Sequence, residues 1–227
     1  MKKLNILILI AILVLSVSSH AYAGSNKGQF SQSKGNRNMQ VQELSVEEQE
    51  NLIYMREEEK LARDVYLKLG EYFDTNIFTN IAAAEQRHMD RIKSLLNKYD
   101  LIDPVVDDTI GIFTNPIFSE FYYSTTNSDL TIKEAILTGI LIEETDIMDL
   151  QKAIDLTDNA DIKNVYGNLL RGSRNHLRAF VRRLESMGIV YEASVLEQSV
   201  ADAIVNSPTE RGSSNKKDNI EWGRRWN

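Results

Sequence analysis

Apolar residues recur every three or four positions along four long stretches of the chain, which is the spacing of amphipathic α-helices. The stretches run from about Ser45 to Tyr72, Asn76 to Tyr99, Thr131 to Leu156 and Asp161 to Met187. Capping boxes at Ser45-x-x-Glu48 and Thr131-x-x-Glu134 mark the starts of the first and third helices. Gly188 ends the fourth, and a shorter fifth helix is expected near Ala193 to Val205. The pattern predicts an all-α domain.

The connections predict how the helices are ordered. Short turns join the first helix to the second and the third to the fourth, so each pair forms an antiparallel hairpin. The link between the hairpins, residues 100–130, is long and contains Pro104, Gly111 and Pro116, with a short helix expected around Phe118 to Tyr123. An up-down-up-down bundle would have a short middle loop, whereas one long crossover is the ferritin-like arrangement. The predicted fold is therefore a ferritin-like four-helix bundle with a short fifth helix.

The N-terminal residues have the features of a Sec signal peptide. Lys2 and Lys3 precede an apolar run at residues 4–17, and Ala21-Tyr22-Ala23 offers a cleavage site. The apolar run is short for a membrane span, although an uncleaved anchor is the alternative interpretation. The sequence thus predicts a signal at residues 1–23 and a protein exported to the periplasm or the outside of the cell, without stable membrane insertion after cleavage.

The remaining chain divides by composition. Residues 24–43 are polar and lack apolar periodicity, which is typical of a flexible lead-in. The helical domain spans residues 44–205. Residues 206–227 are predicted to be a disordered tail, although Trp222 and Trp226 also allow a role in partner binding.

Charge and cysteine content exclude several functions. The net charge of −7 argues against nucleic acid as a partner. The chain has no cysteine, which excludes disulfides, thiolate zinc sites, iron–sulfur clusters and thiol catalysis. An exported protein without disulfides must be stabilised by its own core.

The apolar residues of each long helix form a stripe along one face. Each of the four stripes is interrupted at the same level by side chains of types that commonly bind metals. The first helix supplies Glu59, the second Glu85 and His88, the third Glu143 and the fourth His176. One further histidine, His20, lies in the predicted signal. Carboxylates on apolar faces are costly unless they are paired, so a cation between them would resolve the conflict. Mixed carboxylate and imidazole ligands suit iron or manganese, with zinc as an alternative.

Two local motifs resemble those of known di-iron proteins. The run Glu59-Lys60-Leu61-Ala62-Arg63-Asp64-Val65-Tyr66 resembles the Glu-x-x-Ala-Arg-x-x-Tyr of rubrerythrins, and Glu85-Gln86-Arg87-His88 resembles the Glu-x-x-His of ferritin-like di-iron proteins. Residues 57–66, 139–150 and 172–180 resemble a prokaryotic ferritin-like family known as domain of unknown function 2202. The resemblance implies a ferritin-like bundle with a di-metal centre and brings no established reaction.

The fourth helix departs from the rubrerythrin-like pattern. Ser173 stands three residues before His176, where that pattern has a second glutamate. Asp146, one turn after Glu143, is expected either to restore the ligand count or to be solvated. The acids beside the stripes, Glu57, Glu58 and Glu144, are expected to face solvent. Tyr66 is expected either to hydrogen-bond a ligand or to be a core tyrosine.

Three functions follow from this pattern and are left open by it. The first is a di-iron or di-manganese centre that reacts with peroxide or oxygen and takes electrons from an external donor. The second is metal binding or sequestration without turnover. The third is a metal-free interaction module that uses the C-terminal tail. A homodimer is compatible with all three.

Overall fold

The computed structural model describes residues 43–212, and in that range the chain is helical and contains no β-strand. The helices are α1 Val46–Tyr72, α2 Asn76–Lys98, α3 Pro116–Thr125, α4 Ile132–Leu156, α5 Ala160–Glu185 and α6 Gln198–Val205. The predicted all-α class is confirmed, and the long helices begin and end within two residues of the expected positions. α6 begins five residues later than expected. The predicted signal lies outside the described residues.

The two predicted capping boxes are formed. In the first, the Ser45 hydroxyl accepts from the Glu48 backbone N–H at 3.1 Å, and Glu48 Oε2 accepts from the Ser45 N–H at 2.8 Å. The other Glu48 oxygen accepts from Thr157 at 2.5 Å and from Asn159 at 2.7 Å. Burial opposes ionisation of Glu48, but these hydrogen bonds lower its pKa to about 2. Glu48 therefore caps α1 and also accepts hydrogen bonds from the turn between α4 and α5.

The four long helices pack as two hairpins. α1 runs along α2 and α4 runs along α5, each pair joined by a three-residue turn, at Phe73–Thr75 and Thr157–Asn159. Between the hairpins, α1 contacts α4 and α2 contacts α5. α3 packs on α1, and α6 packs on α5. The long link between the hairpins is the one that was predicted.

The predicted inward stripes form most of the core. On α1, every member of the stripe is at most 2% exposed: Leu52, Met55, Glu59, Ala62, Tyr66 and Leu69. Three apolar positions that the periodicity places on these stripes, Ile77, Ile154 and Val165, are only half-buried. Beside Ile77 and Val165, the adjacent Phe78 and Tyr166 are buried instead. The larger aromatic ring occupies the interior at both places.

The crossover segment between α2 and α3 covers the outer face of α1 through buried charges. Lys60 and Asp64 are both fully buried, with Nζ and Oδ2 2.5 Å apart. The contacts to the crossover are Arg56 to Asp103, Lys60 to the Thr109 carbonyl, Arg63 to Asp108, and the Gly111 N–H to Asp64. These four side chains of α1 each have a partner on the crossover, although Arg56 Nη1 has no hydrogen-bond partner among the described residues.

Gly111 allows the crossover to approach this closely. Its φ is +81°, a conformation that side chains other than glycine rarely adopt. A Cβ at this position would also lie 2.6 Å from the Tyr122 ring of α3. A glycine is therefore required both by the backbone and by the packing.

The acids expected to face solvent are buried. Glu57 accepts from the backbone N–H groups of Thr114 and Asn115, at 2.6 and 3.1 Å, where α3 begins. Glu144 accepts from the Tyr191 hydroxyl and from three consecutive backbone N–H groups, at 194–196. The expectation was wrong because helical periodicity identifies the face toward the bundle and not the outer face covered by the crossover and C-terminal segments.

Residues 206–212, which were assigned to the tail, are attached to α5. Glu210 pairs with Arg174 at 2.5 Å and with Arg178 at 2.8 Å, and Arg178 also donates to the Ile204 carbonyl. The rest of the tail lies outside the described residues. None of the helices that the structure describes is long and apolar enough to cross a membrane.

We predict that Asp64→Asn destabilises the protein by about 3–5 kcal/mol, because the fully buried Lys60 ammonium would lose its anionic partner. The matched control is Glu71→Gln, which removes the exposed partner of Lys68 and should cost less than about 1 kcal/mol. Urea unfolding of both variants measures the difference. Equal, small losses would show that the buried pair contributes no more than a surface pair.

Candidate metal centre

The first group of candidate ligands joins α1 to α2. Glu59, Glu85 and His88 each present a ligand atom, and these atoms all lie within 4.8 Å of one another. His88 Nδ1 is 3.1 Å from Glu59 Oε2 and 2.6 Å from Glu85 Oε2. The three-residue spacing of Glu85 and His88 places both side chains on one face of α2, toward α1.

The second group joins α2 to α4 and α5. Glu85, Glu143 and His176 also present atoms within 4.8 Å of one another. His176 Nδ1 is 2.8 Å from Glu85 Oε1 and 3.5 Å from Glu143 Oε2. Glu85 therefore belongs to both groups, with one oxygen toward each imidazole. Two three-ligand groups that share a carboxylate are what a dinuclear centre requires.

Asp146 lies beside the two groups without belonging to either. Its Oδ2 accepts a hydrogen bond from the Ser173 hydroxyl at 2.6 Å, and its Oδ1 is buried without a partner among the described residues. Ser173, which replaces the expected second glutamate of the fourth helix, thus holds a carboxylate from α4 next to the cluster. Whether Asp146 is a ligand remains a prediction.

Tyr66 is both a hydrogen-bond donor to a candidate ligand and a core residue. Its hydroxyl donates to Glu143 Oε1 at 2.6 Å. Its ring packs against Phe180 and Phe78, with centroids 5.3 and 6.5 Å away. The two readings left open by the sequence are therefore compatible. The aromatic layer closes the bundle on one side of the carboxylates and holds the orientation of Glu143.

The cluster is deeply buried and contains polar atoms without hydrogen-bond partners. The side chains of Glu59, Glu85 and Glu143 are at most 1% exposed, and the two imidazoles are 12–13% exposed. The unpartnered atoms are Glu59 Oε1, both oxygens of Glu85, Glu143 Oε2, Asp146 Oδ1 and His176 Nδ1. His176 Nδ1 and Glu85 Oε1 are close, yet their angles do not form a hydrogen bond.

Such unpartnered buried atoms normally cost about 1–3 kcal/mol each, more when charged. All six belong to residues that the sequence proposed as metal ligands. Carboxylate oxygens and imidazole nitrogens without other partners are suitable ligands for divalent cations, so the donor set fits a metal.

Burial and mutual repulsion raise the pKa of three of the carboxyls. Burial, opposed in part by His88, raises the pKa of Glu59 to about 7. Burial raises the pKa of Glu143. Burial and the charges of Glu59, Glu143 and Glu85 raise the pKa of Asp146 well above its usual range. Without a cation, the Glu59 carboxyl is therefore partly protonated near neutral pH.

Glu85 and the imidazoles titrate in the opposite sense. Burial opposes ionisation of Glu85, but the charges of His176 and His88 offset it and lower its pKa. Burial likewise opposes charging of the imidazoles, but Glu85 and Glu143 raise the pKa of His176 to about 10, and Glu85 and Glu59 raise that of His88 well above its usual range. In the metal-free protein the two imidazolium ions thus replace part of the charge that a metal would supply.

A second acidic pair lies near the cluster, and the sequence analysis did not identify it. Glu58, expected to face solvent, is 4% exposed, and its carboxyl lies beside that of Asp149 on α4. Burial raises the pKa of Glu58 well above its usual range and that of Asp149 to about 6. Glu58 lies on the side of α1 that contacts α4. The spacing of the apolar residues alone does not predict that this side is buried.

Fold and site together define an all-helical protein with a buried carboxylate and imidazole cluster between two helical hairpins. The chain belongs to the family described as uncharacterized protein domain DUF2202, whose model matches residues 48–208. The resemblance stated from the sequence motifs is thereby confirmed at the level of the family.

The chain is also similar to a protein of an archaeon, both in sequence and in solved structure. The uncharacterized protein MJ0754 of Methanocaldococcus jannaschii is 51% identical over 172 residues, which cover 75% of this chain and 93% of that protein. The crystal structure of the hypothetical protein MJ0754 from Methanococcus jannaschii matches with a TM-score of 0.73 at 49% identity, over 76% of this chain and 99% of that one. These similarities establish the family and the helical fold. They assign no chemistry, which is therefore inferred from the residues of the cluster.

We predict that the metal-free protein loses stability as the pH rises. The pKa of Glu59 is about 7 against the usual 4.5, so its contribution is complete below pH 4.5 and lost through pH 7. The pKa of His176 is about 10 against 6.5, so its contribution is lost between these values. Glu85 stays ionised throughout this window.

Urea unfolding in the presence of a chelator should therefore give a free energy at least about 2 kcal/mol lower at pH 9.5 than at pH 6. The decline should be weaker in a His88→Gln, His176→Gln double variant. A wild-type free energy that rises or stays constant over this range would contradict the assignment of charged imidazoles.

Proposed function

We propose that the protein is an exported ferritin-like metalloprotein that binds two iron or manganese ions and uses them in redox chemistry on peroxide or oxygen. The observation that carries the proposal is the pair of three-ligand groups that share Glu85. A carboxylate with one oxygen toward each group is suited to bridging two ions. Zinc would fit the same ligands but would not supply redox chemistry.

The residues divide between two ions in a simple way. Glu59, Glu85 and His88 would hold one ion, and Glu85, Glu143 and His176 the other, with Asp146 as the added carboxylate. Four carboxylates carry the charge that balances two divalent cations when both imidazoles are neutral. This balance favours a dinuclear over a mononuclear site, because a single ion would leave two carboxylates uncompensated in the interior.

The ferritin-like assignment is supported by the order of the helices. Two antiparallel hairpins joined by a long crossover, with ligands projecting inward from all four helices, are the arrangement used by di-iron carboxylate proteins. The Glu-x-x-His of α2 supplies the ligand pair characteristic of that class. The fourth helix departs from the class, because Ser173 stands where a second such glutamate is expected.

A bound iron or manganese pair would supply the electrons that reduce a peroxide or oxygen. The protein's own groups would position the metal pair and shield it from water. Burial and the charge of Glu143 raise the pKa of Tyr66 well above its usual range, so its phenol stays protonated and donates to Glu143. Phe180 and Phe78 exclude water from that side. Because the chain has no cysteine, it cannot hold a cysteine-ligated iron centre, and an external donor would supply the electrons.

Export is the part of the proposal that rests on sequence alone. The basic residues, apolar run and cleavage site at residues 1–23 support it. Mass spectrometry of the protein isolated from its native cells would test it, with Gly24 as the expected first residue. Retention of the apolar run would favour the anchored alternative.

We predict that Asp146→Ala lowers the metal content or affinity, because it removes the carboxylate that Ser173 holds beside the cluster. The matched control on the same helix is Asp155→Ala, which removes an exposed carboxylate that contacts only Gln151 among the contacts described. Metal analysis and calorimetric titration with manganese measure both. Equal binding by the two variants would show that Asp146 is not a ligand.

We predict that purified protein loaded anaerobically with ferrous iron binds two ions per chain and changes its absorbance on addition of one equivalent of peroxide. A His88→Ala, His176→Ala double variant should lose both properties, because each ion would lose its only imidazole. Stable metal binding without a response to peroxide would favour sequestration. Failure of the wild type to bind metal would favour the interaction module.

A further inference from the structure

Gly172 on α5 faces the two imidazoles of the cluster. A Cβ at this position would lie 2.6 Å from both Cε1 and Nε2 of His88, and 3.9 Å from Cε1 of His176. Real Cβ atoms do not approach other atoms to 2.6 Å, so any side chain here would force a displacement. The two rings themselves are nearly stacked, with centroids 5.8 Å apart and planes inclined by 28°.

His88 is confined on its other side by the carboxylates. Its Nδ1 is 2.6 Å from Glu85 Oε2 and 3.1 Å from Glu59 Oε2. The ring therefore fills the gap between α5 and the acidic cluster, with the Cε1–Nε2 edge against Gly172 and Nδ1 toward the carboxylates. Since the ring is the end of a side chain, it would move more readily than the backbone of α5.

A glycine inside a helix needs a reason, because it costs about 1 kcal/mol relative to alanine. Three glycines lie within the two helices of the second hairpin, and their surroundings differ. A Cβ at Gly139 would lie 2.6 Å from the Phe180 ring, which is a packing requirement of the aromatic layer. A Cβ at Gly167 would meet nothing within 4 Å. Only at Gly172 is the neighbour a candidate ligand.

We propose that Gly172 is a positioning residue of the metal centre: the absence of a side chain there leaves the space in which the His88 ring presents Nδ1 to Glu59 and Glu85. This inference rests on the proposed dinuclear centre for its functional meaning. The geometric part, that residue 172 sets the position of His88, stands separately. Serine or alanine at this position should displace the imidazole while leaving the bundle folded.

The test compares Gly172→Ala with Gly167→Ala, two identical changes one and a half turns apart on α5. Both changes increase helix propensity, and a Cβ at Gly167 meets nothing, so metal-free Gly167→Ala should melt at or above the wild-type temperature. Metal-free Gly172→Ala should still fold, with a melting temperature lowered by the displacement of the His88 ring from Glu59 and Glu85. Manganese affinity, measured by calorimetry, should fall by about 10–100-fold in Gly172→Ala, as for other residues that orient a metal ligand. Gly167→Ala should bind as the wild type does.

Two further measurements separate positioning from general packing. In a crystal structure of metal-free Gly172→Ala, His88 Nδ1 should lie clearly farther from Glu85 Oε2 than the 2.6 Å of the wild type. In a His88→Ala background, Gly172→Ala should cause no further loss of manganese affinity, because the ring it displaces is gone.

The outcomes are distinguishable. Wild-type manganese affinity in Gly172→Ala, or an unmoved His88, overturns the positioning role. A further loss of manganese affinity when Gly172→Ala is added to the His88→Ala background overturns it in favour of a general packing role. If the wild type itself binds neither iron nor manganese, the proposed function fails, and the crystal structure of the variant still decides whether Gly172 positions His88.

Discussion

The structure depends on the burial of four carboxylates at one level of the helical interior. Glu59, Glu85, Glu143 and Asp146 are each at most 3% exposed, and no lysine or arginine has been found paired with them among the described residues. Two imidazoles are the cationic groups that contact this cluster. The raised pKa values of His88 and His176, together with that of Glu59 at about 7, reduce the net negative charge of the metal-free cluster near neutral pH. A pair of divalent cations would satisfy the same donors more completely.

A second layer of the molecule surrounds this interior and also depends on paired charges. The crossover segment covers α1 through Lys60, Arg63 and Asp64, and Glu144 receives the N–H groups of the segment before α6. Lys60, Arg63, Asp64 and Glu144 all have hydrogen-bond partners in these contacts, in contrast to the cluster. Of the ten buried side-chain atoms without a hydrogen-bond partner among the described residues, six belong to the candidate ligands. The other four are Tyr54 Oη, Arg56 Nη1, Glu58 Oε2 and Tyr166 Oη.

The sequence predicted the long helices and the candidate ligands because both leave local signals. Apolar spacing identifies the bundle face of α1 from Leu52 to Leu69, and an acid on that face, such as Glu59, is conspicuous. The outer acids Glu57 and Glu144 leave no such signal, since their partners lie more than 40 residues away in segments without periodicity. The same holds for the Glu58 and Asp149 pair. The role of Ser173 could not be predicted from the sequence, because it depends on the hydrogen bond that its hydroxyl donates to Asp146 on another helix.

Family membership and helical fold do not decide the chemistry, so the central claim concerns the sharing of Glu85 between two ions. Anomalous diffraction at the iron edge, from crystals loaded anaerobically with ferrous iron, tests it most directly. Two anomalous peaks should appear about 3.5–4 Å apart, on either side of the Glu85 carboxylate, one near His88 and one near His176. A single peak, or peaks away from Glu85, would contradict the sharing of this carboxylate.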